Sequence, residues 1–236
     1  MALRLLKFCA VAAGLGLAVE GAAVPLQSFL PAGVWGRTEA SPILTANPQE
    51  AQRLLAQAGF PKGIAPTLLI REGPGVIDQA RIAEAMRLAL AGAGISLTIR
   101  SEISQVVSQL AQHGDHELVL TEARVEGGDP HLLLYPLSAS EGATRGAPAV
   151  NFSFYRNSRL DDLLIRASQL AFRPERLRLY HRAQGILADE LPWIPLWVRL
   201  NWVVARPEVR NLRLHPSGFP RLDRVDLGGP ASGILR

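Results

Sequence analysis

Between residues 47 and 121 the apolar positions switch repeatedly between helical and strand spacing. Asn47-Pro48-Gln49-Glu50 opens a helix: Asn47 can cap, Pro48 suits the first turn, and Glu50 can reach back to complete a capping box. Leu54, Leu55 and Ala58 give that helix an apolar face, and Gly59 ends it. Residues 67–70 (TLLI) read as a buried strand. After the Gly73-Pro74-Gly75 loop, residues 76–93 predict the longest helix, striped by Ile77, Ala80, Ile82, Ala85, Met86, Leu88 and Ala89 and stopped by Gly94. In residues 95–99, Ile95, Leu97 and Ile99 alternate with Ser96 and Thr98, the pattern of a second strand. Residues 101–111 predict an amphipathic helix carrying Ile103, Val106, Val107 and Leu110, and residues 117–121 (ELVLT) a third strand. This β-α-β-α-β order predicts an α/β fold with a mostly parallel sheet flanked by helices.

Residues 122–150 form a loop region rich in Gly, Pro and Ser, centred on Val125-Glu126-Gly127-Gly128-Asp129-Pro130. Two acids around two glycines, just past a strand's carboxyl end, sit where open α/β sheets meet ligands. Asp129 admits two readings, a ligand contact or the cap of a short helix starting at Pro130. Glu126 has no comparable capping duty. Two helices follow, over residues 158–172 and 174–190, the first opened by Asp161-Asp162 and the second burying Leu177, Tyr180, Ala183, Ile186 and Leu187. Leu191-Pro192 breaks the second helix, and residues 196–204 then run extended. There Ile194, Leu196, Val198, Leu200 and Trp202 are expected on one side, with Pro195, Trp197, Arg199 and Asn201 on the other. The cluster Trp193, Trp197 and Trp202 suits either a ligand-sandwiching wall or core packing. From residue 216 the chain is Gly- and Pro-rich, the composition of a loose wrap.

Composition narrows the function classes. With 236 residues, 48% hydrophobic and 19% charged, the chain buries an ample core. Its net charge of +4 is scattered, without a Lys/Arg block, so no nucleic-acid partner is expected. Lys7 and Lys62 are the lysines, so nearly all the positive charge is arginine. The single Cys9 excludes an intramolecular disulfide. At the start, Arg4 and Lys7 precede an apolar run over residues 8–19 and small residues at Gly21-Ala22-Ala23. That is the make-up of a secretory signal, or of an anchor, too short to span a bilayer comfortably; a buried core helix is the other reading.

Catalytic machinery is not legible. No P-loop and no Gly-x-Ser-x-Gly elbow occur, and Gly14, Gly16 and Gly21 do not fit a dinucleotide fingerprint. His113 and His116 lack a further metal ligand and read better as a polar helix end; His131, His181 and His215 are isolated. The expectation is a non-enzymatic chain with no catalytic residues, no metal and no cofactor.

A family resemblance emerges from longer motifs. Residues 151–167 (NFSFYRNSRLDDLLIRA) are similar to the N-x-x-x-Y-x-N-x-x-x-D-x-L-L-x-x-A stretch of dipeptide/oligopeptide-binding proteins, the extracytoplasmic components of ABC importers. Residues 176–196 (RLRLYHRAQGILADELPWIPL) resemble that family's R-x-x-L-Y-x-x-A-Q-x-I-L-x-x-E-x-P-x-I-P-L. Residues 51–63 (AQRLLAQAGFPKG) resemble its A-x-x-L-L-x-x-A-G-F-x-x-G helix, and residues 24–36 fit the stretch before it. The match runs in order from about Ala23 to Leu214.

The resemblance implies a type II periplasmic-binding-protein fold, here its C-terminal lobe, with most of the first lobe preceding the region of similarity. It implies a lobe that holds a peptide, with an acid after a strand gripping the ligand's α-ammonium group. Counted back from Asp129-Pro130, that position falls on Glu126. The expected ligand-binding set is Glu126, Asp129, Trp193 and Trp197. The expected division is a signal or anchor at 1–23, a linker or first-lobe remnant at 24–46, the lobe at 47–205 and an extended tail at 206–236. The implied function is extracytoplasmic binding of a peptide or small solute, in partnership with an ABC transporter permease. The alternative is a lobe serving as a structural accessory subunit of a membrane-associated complex.

Overall fold

The computed structural model describes residues 23–26, 28–38, 47–73, 78–125, 127–146, 150–215 and 218–228. Residues 1–22 of the expected signal or anchor segment, and Glu126, lie outside them; Ala23, expected as the end of that segment, is described and opens a strand. The chain divides into two units, Met1–Val198 and Arg199–Arg236.

In the first unit, α1 (Pro48–Gln57) begins where the motif predicts, with the Asn47 side chain accepting the Glu50 N–H at 2.9 Å. The second half of the expected capping box does not form. The Glu50 carboxylate turns instead to Arg53, 2.7 Å from its Nε, because a full charge competes better for it than a backbone N–H. Strand β2 (Thr67–Arg71) is central in a parallel sheet of order β3-β2-β4, between β3 (Thr98–Glu102) and β4 (Leu118–Val119). Leu68, Leu69 and Ile70 are all buried, as a strand covered on both faces requires.

Helix α2 (Gln79–Ala91) is shorter than the pattern predicts. Asp78 accepts the N–H groups of Ala80 and Arg81 and so fixes its start. Strand β3 lies three residues beyond the expected 95–99. Ile95 and Leu97 are buried in the core, and Ile95 bridges Ile64 ahead of the ladder, whereas the strand itself is an edge with polar, exposed positions. Alternation therefore marks the burial, and the ladder begins only where β2 does. At that entrance Gly63 (φ +86°) packs so tightly on the Gly94 carbonyl that a Cβ would come within 2.1 Å of the oxygen. Only glycine fits there.

Helix α3 (Ser104–His113) closes the β-α-β-α-β order. Then come α4 (His131–Ser138), a 3-10 turn (Ser140–Gly142), α5 (Ser158–Gln169) and α6 (Arg173–Glu190). At 18 residues α6, not α2, is the longest helix among the described residues. Leu191, fully buried and in the left-handed region (φ 47°), ends it, as the Leu-Pro break predicts.

Two apolar cores result. One packs the sheet residues Leu68 and Ile70 with α1 and α2, and Leu55, Ile82, Leu90 and Ile95 are buried in it. The other joins α4, α5 and α6 through Leu134, Leu164, Tyr180 and Leu187. Part of the stretch expected as a linker belongs to this second core: Phe29 and Leu30 are fully buried in it. Strand β1 (Ala23–Pro25) pairs with β5 (Trp197–Arg199).

The second unit holds two small antiparallel pairs, β6 (Val209–Arg210) with β9 (Asp226–Leu227), and β7 (Arg213–Leu214) with β8 (Pro220–Arg221). These nested pairs replace the expected loose wrap. Each ladder is only two residues long, too short for a periodic signal.

Candidate functional site

The site builds outward from the loop after β4. Gly127 (φ 70°) and Gly128 (φ 72°) are consecutive left-handed residues, a turn that side-chain-bearing residues rarely make. It delivers Asp129, whose carboxylate is fully engaged: Oδ1 accepts the His131 N–H at 2.9 Å, and Oδ2 meets Arg176 Nη2 at 2.7 Å. The first contact is the capping reading of Asp129, displaced by one residue. The second is a charge-assisted pair to α6.

Arg176 is caged. Its guanidinium sits 4.9 Å from the Trp35 ring and 5.6 Å from the Tyr180 ring, and Nη2 also donates to the Tyr180 hydroxyl at 3.1 Å. Trp35 meets Tyr180 edge to face, at 5.6 Å between centroids, and carries Arg173 at 4.9 Å as well. Such stacking suits arginine's flat, weakly hydrated head better than a compact ammonium. Beside Asp129, His131 stacks on Tyr135 at 4.7 Å. Burial pushes its pKa down, the Asp129 charge opposes that, and the Arg176 charge adds to it. The arrangement fastens the carboxyl-terminal end of the glycine turn to α6.

The expected aromatics divide. Trp193 packs in the helical core, edge to face with Phe29 at 4.8 Å, and its indole N–H donates to Ser138 Oγ at 3.0 Å. Trp197 packs on the sheet core beside Ile194 and Leu196. The two do not share a core, and Trp197 lies on the same core as Leu196 instead of opposite it. Trp202 belongs to the second unit and is 70% exposed. His113 Nδ1 bonds the Gln109 carbonyl at 2.8 Å on its own helix, the polar helix end read from the sequence.

The motifs of residues 151–196 are fasteners. Gln184 is fully buried; its Oε1 accepts from Ser28 Oγ, Thr38 N–H and Thr38 Oγ1, while Nε2 donates to the carbonyls of Gly36 and Tyr180. It locks the segment around Trp35 onto α6. Asn151 donates to the Ala139 and Tyr155 carbonyls, and Asn157 caps α5 through the Leu160 N–H at 3.0 Å. The Tyr155 hydroxyl and Asn157 amide both donate to the Glu190 carboxylate, at 2.7 and 3.0 Å. Burial, and then the Glu190 hydrogen bond, push the Tyr155 phenol well above its ordinary range.

Comparison with known proteins decides the lineage. The family model for bacterial extracellular solute-binding proteins, family 5 (middle region), matches residues 15–145. The chain belongs to this family.

As a family 5 solute-binding protein, it is 30% identical over 198 residues to di/tripeptide-binding protein 4 of Pseudomonas aeruginosa, covering 83% of this chain and 36% of that protein. Among solved structures it matches the periplasmic binding protein DppA of Helicobacter pylori in complex with peptide STSA, with TM-score 0.74 and 26% identity over 83% of this chain and 38% of that one. HbpA2 of Haemophilus parasuis shares the fold, with TM-score 0.84 and 21% identity over 95% of this chain and 45% of that one. The fold class read from the sequence therefore stands: one lobe of a type II periplasmic binding protein, a parallel sheet flanked by helices. The chain spans little more than a third of the length of the curated relatives it matches, 36% and 38% of the first two.

Sequence reasoning missed Arg176, Trp35 and His131. The available signal was the four-residue spacing of Arg176 and Tyr180 within the second motif, which puts both on one helix face.

Proposed function

We propose that this chain supplies the peptide-holding lobe of a periplasmic solute-binding protein that serves an ABC importer. The lobe takes in Phe29 and Leu30 as well as residues 47–198, and residues 1–22 act as signal or anchor. The observation that carries the reading is the Gly127-Gly128 turn at the carboxyl end of the parallel sheet, pinned on one side by the Asp129–Arg176 pair. Glu126 immediately precedes that turn in sequence. A carboxylate there anchors a ligand's α-ammonium group whatever the peptide's side chains, which suits uptake of varied peptides. Trp193 and Trp197 contribute apolar wall, and Asp129 sets the loop. The role is binding without a chemical step, and its partner is a transporter permease. Support comes from the di/tripeptide-binding relative in Pseudomonas aeruginosa and the peptide-bound relative in Helicobacter pylori.

Titration calorimetry with Ala-Ala and Ala-Ala-Ala tests this. Peptide binding to the full chain is expected, weakened about tenfold or more by Glu126→Gln and abolished by N-acetylation of the peptide. Equal affinity for acetylated and free peptides would sink the ammonium anchor.

A second reading, a lobe acting as an accessory subunit of a membrane-associated complex, draws on the second unit. There Trp202, Val204, Phe219, Leu222 and Leu227 are 70, 94, 74, 67 and 79% exposed. Fractionation of native cells separates the two: a free protein in the periplasmic fraction supports the binder, and a membrane-bound larger complex supports the subunit.

A further inference from the structure

The helical core carries a feature unrelated to the loop after β4. Along the outer side of α5 and α6 runs a groove of roughly 470 Å³, open to solvent and floored by Leu170 and Leu179. Its rim carries Arg166, Arg178 and Arg182 against the single carboxylate of Glu175. Arg166 reaches Asp162 only at 3.5 Å, with both side chains more than 60% exposed, so that pair neutralises little. Arg178 and Arg182, one helical turn apart on α6, have no acidic partner among the described residues. On α1 and α2, by contrast, Arg53 is matched to Glu50 and Arg87 to Glu84, each three residues apart. The rim of the groove therefore carries net positive charge.

We propose that this groove docks an acidic segment of a partner protein, its Glu or Asp side chains on the three guanidinium groups and an apolar side chain on Leu170 and Leu179. Charge complementarity selects the partner's sign, and guanidinium selects carboxylate through paired hydrogen bonds. Shape selects a chain segment over a lipid surface, because a flat bilayer cannot enter a concave slot with an apolar floor.

Fluorescence anisotropy of a labelled Glu-Leu-Glu-Glu-Leu-Glu peptide with the full chain is the test. Saturable binding is expected, weakened about tenfold by the Gln-for-Glu peptide and by raising salt from about 0.05 to 0.5 M. The double variant R178E/R182E should lose about tenfold or more, with R182Q intermediate, while helix content and the Ala-Ala affinity stay unchanged. Three results would overturn the proposal. They are no saturable peptide binding up to about 1 mM, variant affinities equal to the parent's, or capture by phosphatidylglycerol vesicles without capture of the peptide.

Discussion

Gln184 shows how much one side chain can organise. It is fully buried, yet every polar atom it carries is used, three donors converging on its carbonyl and two carbonyls on its amide. Gln184→Leu keeps the volume but strands partners from Ser28 to Thr38, and should cost about 3 kcal/mol in urea unfolding. A cost under about 0.5 kcal/mol would mean water takes over those bonds. Arg176→Lys keeps the charge and loses the stacked plane, so about 1–2 kcal/mol and some peptide affinity should go together. Histidine adds a pH dependence. Burial lowers the pKa of both His116 and His131 below the ordinary 6.5. The folded state therefore binds these protons less readily than the unfolded chain. Stability is full above about pH 6.5 and falls as pH drops below it. Melting temperatures at pH 7.5 and 5.5 should show the drop in the parent and a smaller one in His131→Gln.

Elements are set by their ends. Asn47, Asp78 and Asn157 each accept backbone N–H groups at a helix start, and all three helices begin beside them. Two glycines separate conformational strain from steric fit. Gly128→Ala imposes only the left-handed penalty, because nothing lies within 4 Å of the added carbon, and should cost about 1 kcal/mol. Gly63→Ala imposes the same strain and drives a Cβ against the Gly94 carbonyl, so it should cost about 3 kcal/mol or more. Denaturation midpoints of the two variants give the comparison, and similar losses would mean the Gly63–Gly94 approach relaxes easily. The expected alternation after Pro195 fails for a related reason. The chain there forms only the short strand β5, and Trp197 turns onto the sheet core with Leu196.

At the scale of the molecule, residues 201–208 are exposed and outside regular strands, while the arginine-rich helices are packed. Limited chymotrypsin digestion should therefore cut early after Trp202, which is 70% exposed, and spare α5 and α6. First cuts inside α6 would show that the helical core opens more readily than its burial implies. The order of elements, the parallel sheet, the Asn47 cap and the family were legible because each rests on local periodicity or on residues close in sequence. So was the loop at 125–130, since a strand followed by acids and glycines is a local signal. What Asp129 does there was open in the sequence, because its partner Arg176 lies 47 residues away. Still longer separations in sequence hid the Gln184 network and the caging of Arg176 by Trp35, and only packing assigns Trp193 and Trp197 to separate cores. Local chemistry determines which element forms. Which side chains meet across elements is decided only by packing, because burial rewards any partner that satisfies charge and hydrogen bonds, however far along the chain it comes.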